Sequence, residues 1–184
     1  MKKNNYRIES DSLGKVKVPK EALYGAQTQR AIDNFKISGI SFDPAFIQSL
    51  ANLKSACANA NLKCGVIPKI KASNISLIAK DIAKNTMDYM DHFPVDIFQT
   101  GSGTSTNMNM NEVVSNLAKR KYKKEIHPND DVNMSQSSND VIPTTINISS
   151  LTMSNSLSLS MSFLCDSLHK KSKSLSNIIK SGRT

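Results

Sequence analysis

The chain has 184 residues, room for one good-sized domain, or for one domain and the beginning of another. Hydrophobic residues make up 39 % and charged residues 21 %, a balance that supports a packed core and argues against wholesale disorder. The formal charge of +9 suits an anionic substrate or a polyanion. No run reaches the roughly 18–20 apolar residues that cross a bilayer. No apolar stretch follows the N-terminal lysines as it would in a secretory signal. The expectation is a cytoplasmic protein with no membrane partner.

Residues 1–40 read as short and irregular, with an alternating strand-like piece at Val16–Val18 broken by Pro19. A short helix is expected from Gln27 or Thr28. Between Pro44 and Leu62 the apolar positions Phe46, Ile47, Leu50, Leu53, Cys57 and Ala60 recur at helical steps, and Gly65 and Pro68 end the pattern. A second helix is expected from Lys69 or Ser73 to Met90, closed by Asp91, His92 and Pro94, and a third from about Asn107 to Lys119. A loop then carries "KEIHPNDDVNMSQSSNDVIP". From Pro143 to Gly182 neither glycine nor proline intervenes, and apolar residues from Ile146 to Ile178 stud the stretch. Serines and β-branched residues weaken its helix propensity, but strands rarely exceed about ten residues. One long helix is the reading. Such a helix needs partners to cover its stripe, and the abrupt "KSGRT" ending reads as a truncated product.

The three cysteines, Cys57, Cys64 and Cys165, show no CxxC spacing and read as reduced thiols, with no metal site. The basic clusters "KRKYKK" (Lys119 to Lys124) and "HKKSK" (His169 to Lys173) are not interleaved with an aromatic platform and read as solvated surface, so no nucleic-acid partner is expected.

Two stretches carry the chemistry. In "FQTGSGTSTNMNMNE" the glycines Gly101 and Gly103 allow close backbone approach, and Ser102, Thr104, Ser105 and Thr106 supply hydroxyls at a helix start. A helix start offers unpaired N–H groups and a positive dipole end, which suit a carboxylate or phosphate. No GK[ST] follows, so this is not a Walker loop. The second stretch, Ser135 to Asp140, again places neutral donors before a helix, with Pro143 expected in its first turn. His127, Asn129 and Asp130 lie just upstream.

"TGSGTSTNMNMNEV" and "HPNDDVNMSQSSNDVIPT" together resemble the fumarase/aspartase superfamily, and within it the class II fumarate hydratases. "VPKEALYGAQTQRAIDNFKIS" is similar to that family's opening segment, and the terminal "SGRT" to the start of its "GRTHLQDA" motif. The resemblance runs over essentially the whole chain. It implies a mainly α fold. Residues 1–137 would form the N-terminal helical domain, and residues 138–184 the first long helix of a central bundle that builds a homotetramer.

The implied activity is reversible hydration of fumarate to L-malate without a cofactor, here in an N-terminal portion inactive by itself. Aspartate ammonia-lyase is the alternative, as is a non-catalytic subunit or relic associating with other lyase chains. By the same resemblance Ser102, Gly103, Thr104, Ser137, Ser138, Asn139 and Thr184 bind the dicarboxylate. His127, Pro128, Asn129 and Asp130 form a secondary dicarboxylate site. The acid and base are expected beyond Thr184, so no residue here is given a catalytic role. The chain departs from the family pattern between Glu112 and His127, where the connection is shorter and Lys124 stands in place of a common arginine.

Overall fold

A computed structural model describes residues 5–183. The chain divides into two compact units, Met1–Ser149 and Ser150–Thr184.

The first unit opens with a hairpin of β1 (Tyr6–Asp11) and β2 (Gly14–Pro19), paired antiparallel from Tyr6↔Pro19 to Asp11↔Gly14. The sequence pattern reached only the second strand, because the first carries its charges inward. Arg7, Glu9 and Asp11 are half-buried while Tyr6 and Ile8 face out. Arg7 donates to the carbonyls of Pro19 and Ala22, both at 2.7 Å, and of Tyr24 at 2.6 Å, tying the hairpin to the following turn.

Helix α1 (Ala26–Asn34) follows, then α2 (Pro44–Lys63), begun by Asp43, whose side chain accepts from Ala45 N–H at 2.7 Å, with Pro44 in the first turn. Helix α3 (Lys69–Lys84) packs along α2. The single helix expected to Met90 is interrupted at Asn85, followed by the short α4 (Thr86–Tyr89) and a 3₁₀ turn at Met90–His92. Local side chains end α3: Asn85 Nδ2 donates to Asp81 Oδ1, and Thr86 Oγ1 to the carbonyls of Ile82 and Ala83.

Helix α5 (Thr104–Tyr122) contacts both α1 and α3. A π-helical turn, Pro128–Val132, leads to α6 (Ser138–Ser174). The core collects Ile47, Leu50, Ile75, Ile78, Ile82, Met110, Val113 and Val114, all fully buried. The buried face of α2 is rotated from the expected one. Ala51, Lys54, Ser55 and Ala58 are buried, whereas Leu53 and Cys57 are half-buried and Ala60 is exposed. Pro143 lies in the second turn of α6 rather than the first. Its missing N–H leaves the Asn139 carbonyl without its intrahelical donor. The fold is mainly α, with this hairpin as the sheet found among the described residues.

In the second unit every described residue is exposed, Leu151, Leu157, Leu159, Phe163 and Leu168 among them. No described helix is long and apolar enough to cross a membrane.

Candidate functional site

The loop before α5 is held from both sides. The Asp96 carboxylate accepts from the N–H groups of Ser38 (2.7 Å), Gly39 (2.8 Å) and Phe98 (2.8 Å), and from Ser38 Oγ. Burial alone would raise its pKa, but these donors outweigh it and hold Asp96 at about 2. Gln99 then clasps Thr106, its Oε1 accepting from Thr106 N–H at 2.9 Å and its Nε2 donating to Thr106 Oγ1. Ser102 Oγ and Thr104 Oγ1 lie 2.7 Å apart at the tip, and Gly103, the residue that precedes α5, has no side chain to cap it.

Gly103 has φ +66°, and a Cβ there would meet Ile142 at 2.9 Å. Its lack of a side chain seats the loop on α6. Gly101, by contrast, faces open space.

At the start of α6 the Ser137 carbonyl accepts from the N–H groups of Asp140 (3.0 Å) and Val141 (2.9 Å), and its Oγ from Asn139 N–H at 3.2 Å. Ser137 and Asn139 are exposed and Ser138 is half-buried. Asn107 Nδ2, from the first turn of α5, donates to Ser138 Oγ at 3.2 Å. Two helix starts rich in hydroxyls and amides are thus joined at Asn107–Ser138 and at Gly103–Ile142. Thr184, the remaining expected binding residue, lies outside the described residues.

Behind this junction lies a polar layer that the sequence pattern did not reveal. Lys54, fully buried on α2, donates to Gln136 Oε1 (2.9 Å) and Asn133 Oδ1 (3.2 Å). Burial pushes its pKa down to about 7. Asn107 and Asn111 also donate to Asn133 Oδ1, at 3.0 and 3.3 Å. The available signal was Lys54 itself, at helical spacing from Ile47 and Leu50 on what proves to be the core stripe.

Glu112 was missed as well. Buried on α5, it accepts from the N–H groups of Gly25 (2.8 Å), Gln27 (2.9 Å) and Thr28 (3.1 Å) and from Thr28 Oγ1 (2.6 Å), capping α1 from outside. Gly25 permits this approach, since a Cβ there would lie 2.9 Å from the Glu112 carboxyl.

The residues expected to form a secondary site sit on the π-helical turn. His127 Nδ1 accepts from Asp130 N–H at 3.0 Å, and the two side chains are 58 % and 74 % exposed. Asp131 anchors the turn, accepting from His127 N–H and pairing with Lys71 at 2.8 Å. His127, Pro128 and Asn129 line a groove of about 1180 Å³ that Thr104, Arg7, Lys119 and Arg120 also line; Asp130 does not reach it. Of the basic cluster, Lys121 pairs with Asp81 at 2.9 Å and Arg120 donates to the carbonyls of Lys20, Glu21 and Ala22. The three cysteines are free. Among the described residues no group of three His, Cys, Asp or Glu side chains could hold a metal ion. The arrangement suits a small anion: neutral donors, helix dipoles and little competing negative charge.

Comparison with known proteins matches residues 14–184 to a family described as Lyase. A class II fumarate hydratase from Xylella fastidiosa (strain 9a5c) is 50 % identical over 98 % of this chain and 38 % of its own length. One from Mycobacterium tuberculosis (strain ATCC 25618 / H37Rv) is 48 % identical over the same shares. Among solved structures, a fumarate lyase:delta crystallin from Brucella melitensis aligns with a TM-score of 0.89 at 40 % identity, covering 97 % of this chain and 43 % of that one. A class II fumarase from Schistosoma mansoni aligns with a TM-score of 0.72 at 39 % identity, over 78 % and 31 %. The chain spans less than half the length of these relatives.

Proposed function

This chain belongs to the lyase family whose pattern spans its residues 14–184, and on that premise we propose that it is the carboxylate-binding portion of a fumarate hydratase. The whole protein would interconvert fumarate and L-malate in the cytoplasm, as a homotetramer. Residues 1–137 would be its N-terminal domain and 138–184 the start of its helical bundle.

Trans addition of water to fumarate passes through a species in which one carboxylate carries extra negative charge. Donors fixed in advance around that charge lower the barrier. We assign this task to Ser102, Gly103 and Thr104 at the start of α5, and to Ser137, Ser138 and Asn139 at the start of α6, with Thr184 as a further contact. Proton transfer is assigned to no residue of this chain. His127, Pro128, Asn129 and Asp130 are assigned to a second, peripheral dicarboxylate site.

The observation that carries the reading is the Asn107 Nδ2–Ser138 Oγ bond of 3.2 Å, which ties the two donor-rich helix starts together. The test is a fumarate titration of the ¹⁵N-labelled chain. Shifts concentrated at residues 102–106 and 137–139 are expected, and larger with fumarate than with aspartate. Shifts absent from both segments, or confined to residues 127–130, would overturn the assignment.

A further inference from the structure

Lys54 is a fully buried lysine on the core-facing stripe of α2. Among the described residues no carboxylate lies within ion-pairing distance of its Nζ. A cation buried without a counter-ion is unfavourable, and an apolar residue of similar shape would fill the space without that cost. Stability therefore does not explain it. Burial brings its pKa to about 7, so the group sits at its titration point near neutrality.

What Lys54 does is decide which way two amides point. Protonated, Lys54 offers donors and no acceptor, and in that form it requires Asn133 and Gln136 both to turn their oxygens toward it. Their NH₂ groups then fold back on the loop. Asn133 Nδ2 donates to the Gln136 carbonyl at 3.2 Å, and Gln136 Nε2 to the carbonyls of Val132 (2.8 Å) and Met134 (3.3 Å). A rotated amide would lose these bonds and aim its NH₂ at the cation. The order continues outward: Asn133 Oδ1 receives Asn107 Nδ2, and that same Nδ2 reaches Ser138 Oγ. The buried Oδ1 atoms of Asn107 and Asn111 have no hydrogen-bond partner among the described residues.

We propose that Lys54 is a positioning residue of the carboxylate site, orienting Asn133 and Gln136 so that Ser137, Ser138 and Asn139 enter α6 with their donors set for the ligand. The inference rests on the reading of that site given above.

Lys54→Met keeps the shape of the side chain and removes its donors. Its melting temperature should equal or exceed that of the unaltered chain. Amide exchange at Gln136, Asn139, Asp140 and Val141 should nevertheless quicken about tenfold, and fumarate should bind about tenfold more weakly. A merely space-filling lysine predicts no such split. Unchanged exchange and unchanged affinity in the folded variant would overturn the proposal. Should the unaltered chain not bind fumarate, the site assignment falls and the exchange rates alone decide the role of Lys54. Should Lys54→Met not fold, Gln136→Met removes one acceptor while keeping the lysine. The same losses are then expected, and their absence overturns the proposal.

Discussion

Replacing Lys54 by methionine should change how stability depends on pH, with a sign and size set by burial. In the folded chain the group titrates at about 7, and in the unfolded chain near 10.4. Below pH 7 both states carry the proton, and the unfavourable burial of the charge is present in full. Between those pH values the unfolded state binds more protons, so stability rises with pH. Integrating that difference from pH 6.5 to 8.5 gives about 2 kcal/mol for one such group. Cys57, whose pKa burial raises and the nearby Lys54 lowers, acts in the opposite sense from the top of this window upward, and is present in both chains. Urea unfolding followed by circular dichroism at the two pH values measures the effect. Lys54→Met should hold its greatest advantage over the unaltered chain at pH 6.5, and that advantage should shrink by about 2 kcal/mol at pH 8.5. A difference independent of pH would show that Lys54 is solvated or paired rather than buried as a lone cation.

Three further outcomes are expected. Gly103→Ala forces a side chain into a left-handed backbone conformation and against Ile142, and should lower unfolding free energy by about 1–3 kcal/mol in the same assay. Glu112→Gln replaces an all-acceptor carboxylate with a group whose NH₂ must face one of the donors at the start of α1, costing about 1–3 kcal/mol. Thr104→Ala and Asn139→Ala should each weaken fumarate binding about tenfold by calorimetry, while His127→Asn leaves binding at those loops within about twofold; a loss from His127→Asn as large as from Thr104→Ala would mean the two sites have been exchanged.

Much of the architecture was legible because periodicity and punctuation agree. Pro44 and Gly65 bracket α2, and the breaker-free run after Pro143 is helical as far as Ser174, the remainder to Gly182 leaving the helix without a glycine or proline to mark the end. The glycine loop and the Ser137–Asn139 stretch were legible as helix starts for the same reason, since small donors and glycines cluster where backbone N–H groups need partners. The first strand was not legible: an element that buries Arg7 and Glu9 while exposing Ile8 inverts the pattern on which strand reading depends. The facing of α2 was missed because Leu53 and Cys57 compete with Leu50 and Ala58 for the same stripe, and a lysine at position 54 votes against the correct choice. Long-range polar contacts leave no local trace. Glu112 meets Gly25 and Thr28 across more than eighty residues, and nothing near either end announces the other.

In the proposed assignment the starts of α5 and α6 together hold a dicarboxylate. The most direct measurement is a crystal structure of the chain with fumarate or its unreactive analogue succinate. That assignment places carboxylate oxygens at hydrogen-bonding distance, about 2.7–3.1 Å, from Thr104 Oγ1 and from Asn139 or Ser138. Occupied density at the His127–Asp130 turn with both helix starts bare, at a ligand concentration that saturates the titration, would contradict it.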